Sequence, residues 1–226
     1  TLDPIPHLTC VGHTKQEVSD ILKSYTTAGI QNILALRGDY RSDNDNTSDF
    51  KYASDLVRHI HDFENGNFGV GVAGFPEGHP ETPNRLVQME HLKAKVDCGV
   101  DWICTQLFFD NSAFYDWKER CELIGINTPT FAGIMPILSI SGMRRMAELA
   151  GGSNFPAKLQ KRLYKFQDDS EAVMKIGISW AAEQCADLLD HEVCGIHFFT
   201  MNQSTATEEI YNTLGVTSSL KLRNPQ

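Results

Sequence analysis

An Arg-Gly-Asp sequence directly follows a short apolar segment and is the part of this chain best suited to chemistry. Residues 33–36 read Ile-Leu-Ala-Leu, and Arg37, Gly38 and Asp39 come immediately after them. In parallel barrels the catalytic groups lie at the carboxyl ends of buried strands. Glycine lets a ligand approach the main chain, and Asp39 supplies a carboxylate. We therefore expect a binding and catalytic site at the end of this strand.

The composition is that of an ordinary globular protein with an acidic surface. The 226 residues are 41% hydrophobic and 22% charged, and the formal net charge is −9. This balance argues against a nucleic-acid partner, which would require a basic patch, and against an anionic membrane surface. No apolar run reaches the roughly 20 residues that are needed to span a bilayer. We expect a cytoplasmic protein.

The cysteines and histidines do not form a recognisable metal or nucleophile pattern. None of the six cysteines belongs to a Cys-x-x-Cys pair, and Cys98, Cys104 and Cys194 lie in or beside apolar segments. Such spacing is typical of buried thiols in a reducing compartment, with a zinc or redox site as the alternative. The histidines near the strand ends lack a matching carboxylate pattern. We expect no metal.

Strand-like and helical segments alternate along the whole chain. Helices are predicted after each strand; a Thr14–Glu17 capping box begins the first one, Thr82-Pro83 begins the third, and the last covers about 205–214. The stretch 141–189 is predicted to be helical, with breaks at 151–152 and 154–156. The predicted strands cover residues 7–11, 33–36, 68–73, 102–107, 131–137 and 195–201.

Six strand–helix units at this spacing fit two α/β architectures. A doubly wound sheet accepts six strands, but its usual sign is a phosphate loop that opens the first helix. Residues 69–74 match Gly-x-Gly-x-x-Gly only within a strand, where the glycines would let a flat ligand press against it. We predict instead a (βα)8 TIM barrel. Residues 1–226 would supply its strands 3–8 as a partial catalytic domain, without the first two units.

Seven segments of the chain resemble methylenetetrahydrofolate reductases, in order and with the spacing of that family. They are HLTC (7–10), NILALRGD (32–39), YASDLV (52–57), FPEGHPE (75–81), LKAKVDCGVDWICTQLFFD (92–110), GIMPI (133–137) and GIHFFTMN (195–202). The resemblance implies a TIM barrel that binds FAD. It also implies the reduction of 5,10-methylenetetrahydrofolate to 5-methyltetrahydrofolate with NADH or NADPH, within one-carbon metabolism and methionine supply.

Carried over position by position, the resemblance gives roles to ten residues. Asp39 and Gln106 match substrate-binding positions. Asp39 is also the catalytic carboxylate, because its charge can stabilise the cationic iminium form of the one-carbon unit. The family's general acid is a glutamate on the first strand, upstream of Thr1. The positions that match FAD contacts are His7, Arg37, Gly38, Asp39, Tyr52, Ala53, Phe75, His79 and Lys95, the last near the phosphates.

Two functional hypotheses remain open at this point. The first is the flavin-dependent reductase, acting as a homo-oligomer on folate and a nicotinamide nucleotide. The second is a non-catalytic FAD-binding fragment or scaffold, because a missing general acid would leave this chain inactive on its own. The sequence also leaves open NADH against NADPH, a C-terminal regulatory domain, and the contacts of the folate tail, where Gln203 and Gly142 depart from some relatives.

Overall fold

A computed structural model describes residues 3–39, 48–63, 67–149 and 153–216 of the chain. In these residues β-strands and α-helices alternate. The strands are β1 His7–Thr9, β2 Asn32–Leu36, β3 Gly69–Gly74, β4 Trp102–Leu107, β5 Thr130–Ile134 and β6 Gly195–Phe198. The helices are α1 Lys15–Thr27, α2 Ala53–His61, α3 Arg85–Val96, α4 Asn111–Leu123, α5 Ile140–Leu149, α6 Ala157–Lys165, α7 Ser170–Asp190 and α8 Thr205–Thr213.

The strands form a sheet in the order β1-β2-β3-β4-β5-β6. The pairs β1–β2, β2–β3 and β5–β6 are parallel, with His7 opposite Leu34 and Asn32 opposite Gly69. A helix connects each strand to the next, as parallel pairing requires. The predicted α/β class, with parallel strands alternating with helices, is confirmed.

The chain divides into two compact units. The first unit contains residues 1–74, 84–104 and 120–130, and therefore β1 to β3, the start of β4, and α1 to α3. The second contains residues 75–83, 105–119 and 131–226, and therefore the end of β4, most of β5, β6 and α5 to α8. Each unit is described by itself below.

The first helix begins where the sequence predicts. The Thr14 hydroxyl accepts a hydrogen bond from the Glu17 main-chain nitrogen at 3.2 Å, and the Glu17 carboxylate accepts one from the Thr14 nitrogen at 2.8 Å. These bonds satisfy main-chain groups that a helix end leaves without partners. The Thr14 nitrogen and the Thr14 hydroxyl both donate to the Glu17 carboxylate, at 2.8 and 2.9 Å, and these bonds lower the pKa of Glu17. Val18 and Leu22 then bury the inner face of α1.

The predicted start of the third helix at Thr82-Pro83 is wrong. The helix begins at Arg85, and the side chain of Asn84 caps it by accepting from the nitrogens of Leu86 and Val87 at 3.0 and 3.4 Å. The Thr82 nitrogen instead donates to the His79 oxygen at 3.0 Å, so the Thr-Pro pair belongs to the preceding turn. Asparagine and threonine are both good helix caps, so the turn that Thr82 forms with His79 decides the later start.

Three strands end earlier than the sequence predicts, while the long helical stretch is broken as expected. β1 ends at Thr9 rather than at Val11. β5 ends at Ile134 and β6 at Phe198. Met201 and Asn202 adopt left-handed φ angles of 49° and 60°, which extended strands do not contain. The stretch 141–189 forms α5, α6 and α7, and the break at 154–156 lies between α5 and α6; the break predicted at 151–152 lies outside the described residues.

In the second unit, the helices that follow β5 pack onto the ends of β4 and β5. Gly177 of α7 lies against the Ile137 main chain, and a side-chain carbon there would collide with the Ile137 oxygen. The helix and the residues after β5 therefore meet backbone to backbone. The buried core of this region comprises Leu107, Phe109, Met135, Ile137, Met143, Leu159, Leu163 and Val173.

No helix in the described part of the chain is both long enough and apolar enough to cross a membrane.

Candidate functional site

The Arg37-Gly38 turn is fixed against the end of β1. The Cys10 nitrogen donates to the Leu36 and Arg37 oxygens at 3.1 and 3.2 Å, and the Val11 nitrogen donates to the Arg37 oxygen at 2.9 Å. Gly38 has φ +87°, and a Cβ atom there would lie 2.7 Å from Val11 Cγ1. Only glycine combines this left-handed conformation with such close packing. The turn is thus rigidly placed at the carboxyl end of β2.

The two charged residues of this turn differ in exposure. Arg37 is half-buried, and its Nε donates to the Gly38 oxygen at 3.2 Å. Asp39 is exposed. Because the Asp39 carboxylate is exposed, folding does not incur the cost of burying its charge, and the group is accessible to a bound ligand. This geometry suits the electrostatic role that the sequence predicts for Asp39.

Tyr52 and Ala53 form the beginning of α2, close to the end of β1. Tyr52 is exposed, and its main-chain nitrogen donates to the Asp55 carboxylate at 2.9 Å. The Cys10 thiol lies 3.8 Å from the Tyr52 oxygen and connects the start of this helix to β1. The amino end of a helix favours anions, so its position is compatible with a phosphorylated cofactor. His7 is exposed but opens β1 rather than closing it.

Lys95 has a buried charge. Its ammonium group donates to the Ala73 oxygen of β3 at 2.9 Å, and burial lowers the pKa of Lys95 to about 8. Within the ranges that the structure describes, no carboxylate pairs with this group. A lysine can form three hydrogen bonds, so donors remain for an anion. The residue predicted to lie near the FAD phosphates therefore has the electrostatic character of an anion-binding group.

Gly69 and Gly71 of β3 do not have the predicted role. A side-chain carbon at Gly71 would collide with the indole ring of Trp102, and one at Gly69 would collide with the Asn32 side chain. The space beside these glycines is therefore filled by neighbouring strands of the protein. The expectation that a flat ligand presses against this strand at those positions is wrong.

In the second unit, Phe75 and His79 lie in one turn after β3. Their ring centroids are 4.6 Å apart with an interplanar angle of 68°, and both residues are half-buried. Gly78, at φ +102°, allows the turn to close. The Glu77 carboxylate accepts from the Asn154 nitrogen at 3.0 Å, which joins this turn to the segment before α6. The predicted aromatic and imidazole contacts for FAD are thus neighbours.

Gln106 lies near the carboxyl end of β4 and is half-buried. Its Oε1 accepts from the Leu107 nitrogen at 3.0 Å, so the amide NH2 group is the part that can donate to a ligand. The adjacent Thr105 hydroxyl accepts from the Gly133 nitrogen at 2.9 Å and fixes this strand end to β5. A rigid strand end of this kind is a suitable position for a substrate-orienting amide.

The cysteines act as ordinary thiols. Burial raises the pKa of Cys10 and Cys104 to about 11 and that of Cys185 to about 12, so these thiols stay protonated. Cys194, which the sequence led us to expect in a buried position, is exposed. No group of three His, Cys, Asp or Glu residues in the described ranges is arranged to hold a metal ion.

One charged surface escaped the sequence analysis although its signal is visible there. Lys158, Lys161, Arg162 and Lys165 are spaced i, i+3, i+4 and i+7, and α6 contains no acidic residue. This spacing places them on one face of the helix, which we call the basic stripe. Leu159 and Leu163 are fully buried on another face. A search for helical charge periodicity would have found the stripe.

The predicted site residues form two groups, one in each unit. His7, Arg37, Gly38, Asp39, Tyr52, Ala53 and Lys95 belong to the first unit, and Phe75, His79 and Gln106 belong to the second. The cofactor- and substrate-binding roles of these ten residues stay predictions.

Known proteins are similar in sequence to this chain over nearly its whole length. The family model for methylenetetrahydrofolate reductase matches residues 1–215. Methylenetetrahydrofolate reductase 1 of Schizosaccharomyces pombe is 39% identical over 218 residues, which cover 95% of this chain but 36% of that protein. The 5,10-methylenetetrahydrofolate reductase of Escherichia coli is 32% identical over 219 residues, which cover 97% of this chain and 72% of that protein.

A solved structure supports the fold alone. An uncharacterized protein from Clostridium thermocellum, described as binding two copies of 5-methyl-5,6,7,8-tetrahydrofolic acid, superposes with a TM-score of 0.57 at 15% identity and covers 93% of this chain and 72% of its own. The resemblance drawn from the seven sequence segments is confirmed by the family match. The chain belongs to the methylenetetrahydrofolate reductase family.

Proposed function

We propose that this chain forms the FAD- and folate-binding part of an enzyme that reduces 5,10-methylenetetrahydrofolate to 5-methyltetrahydrofolate. NADH or NADPH would be the electron source. Membership of the family supports the reaction, and the chain spans little more than a third of the S. pombe relative, so the activity of the whole protein is part of the proposal. Cytoplasmic location and a homo-oligomeric state stay predictions.

The ammonium group of Lys95 is the observation that carries the assignment of FAD. Removing a charge from water is costly unless a partner compensates it. The only hydrogen bond that the described part of the chain offers to this ammonium group is a main-chain oxygen. A phosphate anion would supply the missing charge, and a flavin dinucleotide carries two phosphates. The donor chemistry at Lys95 therefore fits the cofactor.

The other residues fit the remaining parts of FAD. Arg37 lies at the carboxyl end of β2 and carries a planar cation with five N–H donors, a group suited to the acceptor atoms of a phosphorylated cofactor. Phe75 and His79 place an aromatic ring and an imidazole ring side by side in a single turn. The beginning of α2 lies near the Arg37 turn, because the Cys10 thiol contacts the main-chain oxygens of both Arg37 and Tyr52, and we assign Tyr52 and Ala53 to FAD from that position.

Bound FAD would supply the hydride-transfer chemistry of the reaction. The carboxylate of Asp39 would stabilise the positive charge of the iminium form of the one-carbon unit, and the amide of Gln106 would hold the pterin ring by hydrogen bonds. Both tasks need groups fixed in advance. The Gly38 turn and the hydrogen bond between Gln106 and Leu107 provide that rigidity.

A spectroscopic experiment tests the proposal. The purified protein should carry a flavin absorbance band near about 450 nm that NADH or NADPH bleaches and that methylenetetrahydrofolate restores. The same protein with Lys95→Met should bind FAD more weakly. A protein that retains FAD but shows neither bleaching nor recovery would favour the alternative, a flavin-binding scaffold without catalysis. A protein that does not bind FAD at all would overturn the proposal.

A further inference from the structure

The Thr105 side chain is a buried hydroxyl next to Gln106, the residue that we assign to the folate substrate. Thr105 belongs to β4 and is 1% exposed. A hydroxyl group that is removed from water costs free energy unless it is hydrogen-bonded. The Thr105 hydroxyl accepts from the main-chain nitrogen of Gly133 in β5 at 2.9 Å, so a side chain of one strand is bonded directly to the main chain of the next.

The main chain on both sides of Gln106 contacts β5 at Gly133. A side-chain carbon at Gly133 would collide with the Thr105 main-chain oxygen and would lie 3.1 Å from the Gln106 main-chain oxygen. These two oxygens belong to the carbonyl groups that flank the Gln106 Cα atom, so β5 passes against them without an intervening side chain. Because protein interiors are closely packed, the backbone of Gln106 cannot shift without moving Gly133 as well.

The end of β6 closes the space next to this contact. The same side-chain carbon at Gly133 would lie 2.9 Å from Cε2 of Phe199. The Phe199 nitrogen donates to the Ile134 oxygen at 2.9 Å, which holds the aromatic residue beside β5. The position of Gly133 is therefore fixed both from β4 and from the end of β6.

The direction of the Gln106 amide depends on this local backbone. Its Oε1 accepts from the nitrogen of Leu107, the next residue, at 3.0 Å. A side chain that is bonded to its own neighbouring main chain turns with that main chain. The NH2 group of Gln106 is thus aimed by the conformation of residues 106 and 107, which the contacts of Thr105 and Gly133 hold in place.

We propose that Thr105 is a positioning residue for the substrate: its hydroxyl, bonded to Gly133, sets the direction in which Gln106 presents its amide to the pterin ring. The inference rests on the function proposed above. Hydrogen bonds weaken steeply when their donor is misaligned, so a small turn of the Gln106 amide should be felt in substrate binding. The folate affinity should therefore depend on Thr105, and that dependence should pass through Gln106.

Anaerobic titration of the FAD-loaded protein with tetrahydrofolate tests the inference, because this ligand has the pterin ring but no one-carbon unit to reduce. Gln106→Ala should weaken binding by roughly 2- to 12-fold, the value of about one hydrogen bond. Thr105→Val keeps the size of the side chain but removes the acceptor, and it should weaken binding by at least about 2-fold and by no more than Gln106→Ala does. In the Gln106→Ala background, Thr105→Val should have no further effect on binding.

Two further variants serve as matched controls. Thr105→Ser keeps the hydroxyl and should restore the parental affinity. Thr130→Val removes the hydroxyl of another buried threonine, which donates to the Thr128 oxygen at 3.1 Å, and it should lower stability without changing the folate affinity. Amide hydrogen exchange at Gly133 should be faster in Thr105→Val than in Thr105→Ser, a measurement that needs no ligand. If Thr105→Val does not fold, Thr105→Cys replaces it, since sulfur is a weak acceptor.

The inference and the proposed function fail in different ways. The role of Thr105 would be overturned by an equal effect of Thr105→Val with and without Gln106, by an equal weakening in Thr130→Val, by no recovery in Thr105→Ser, or by unchanged exchange at Gly133. A protein that binds tetrahydrofolate with the expected coupling but shows no reductase activity would overturn the reaction and leave the role of Thr105 standing. A protein that binds no tetrahydrofolate would overturn both.

Discussion

The ammonium group of Lys95 and the main-chain oxygen of Ala73 are hydrogen-bonded at 2.9 Å, which joins the last turn of α3 to the carboxyl end of β3. The bond places the Lys95 ammonium group at the end of β3, where the surrounding protein buries the charge. Because burial lowers the pKa of Lys95 to about 8, the group can lose its proton at moderately alkaline pH. Cofactor binding and protonation should therefore be linked.

The first prediction is that FAD affinity decreases as the pH rises through about 8. In the proposed assignment the charged form of Lys95 would bind a phosphate of FAD, and the neutral form would lose the ionic contribution. Fluorescence titration of FAD from pH 6.5 to 9.5 should show this step in the parent. Lys95→Met should bind FAD roughly 10- to 100-fold more weakly at neutral pH and show no step.

Lys93→Met is the matched control, since Lys93 lies on the same helix and pairs with Asp97 at the surface. It should keep both the affinity and the pH step. In the protein without FAD, the stability of the fold should change with pH in the opposite direction to the FAD affinity. The folded-state pKa lies below the unfolded value of about 10.4, so stability should rise between pH 8 and 10. A parent protein whose FAD affinity is flat over this range would contradict the assignment of Lys95.

The second prediction separates the two halves of the reaction at Asp39. Asp39→Asn keeps the size of the side chain but removes the charge that would stabilise the cationic folate. In stopped-flow experiments, flavin reduction by NADH or NADPH should remain, while reoxidation by methylenetetrahydrofolate should slow by roughly 100- to 1,000-fold. Asp20→Asn, an equally exposed substitution on α1, should leave both rates unchanged. Equal loss of both half-reactions would point to a structural role instead.

The third prediction compares two glycines with positive φ angles. Gly38 and Gly29 have φ of +87° and +75°, but a Cβ atom at Gly29 meets nothing within 4 Å, whereas one at Gly38 meets Val11 and Thr9. Gly29→Ala should cost about 1 kcal/mol of stability through its backbone conformation alone. Gly38→Ala should cost roughly 1–3 kcal/mol more through crowding, and should also weaken FAD binding.

Urea denaturation of both variants measures the difference. If Gly38→Ala were no more destabilising than Gly29→Ala, the turn after β2 would be looser than its hydrogen bonds to Cys10 and Val11 indicate.

The fourth prediction concerns the packing of β3. Gly71→Ala should destabilise the protein by roughly 1–3 kcal/mol and change its tryptophan fluorescence, because the added methyl group displaces the Trp102 ring. Trp102→Leu removes the ring, so Gly71→Ala should cost much less in that background. A double-mutant cycle measures the coupling. If Gly71→Ala lost FAD without losing stability, Gly71 would lie against the cofactor rather than against Trp102.

Local signals in the sequence predicted local structure well. The Thr14–Glu17 capping box depends on two residues three positions apart, and it forms as expected. The start of α3 has two candidate signals. Asn84 can cap a helix that begins at Arg85, and the Thr82-Pro83 pair is an equally good signal for a start two positions earlier. Local chemistry alone could not choose between them; the hydrogen bond from Thr82 to His79 decides.

Contacts between distant parts of the chain were less accessible to sequence reasoning. The ring that fills the space beside Gly71 belongs to Trp102, on the next strand, and the glycine pattern was therefore assigned to a ligand. The resemblance identified Lys95 as a residue near phosphates, but its burial depends on where α3 packs against β3. The Arg37-Gly38-Asp39 turn was found because all its residues are contiguous.

The backbone contact between Gly177 and Ile137 has an implication for how related chains can vary in length. A helix that touches another main chain without an intervening side chain cannot slide by one residue, because the next residue would bring a Cβ atom into the carbonyl oxygen. Insertions and deletions between α5 and α7 should accumulate in the connections, where they leave α7 in phase. Comparative sequencing of this region should show gaps clustered before α6 or before α7, with the small residue at this crossing retained.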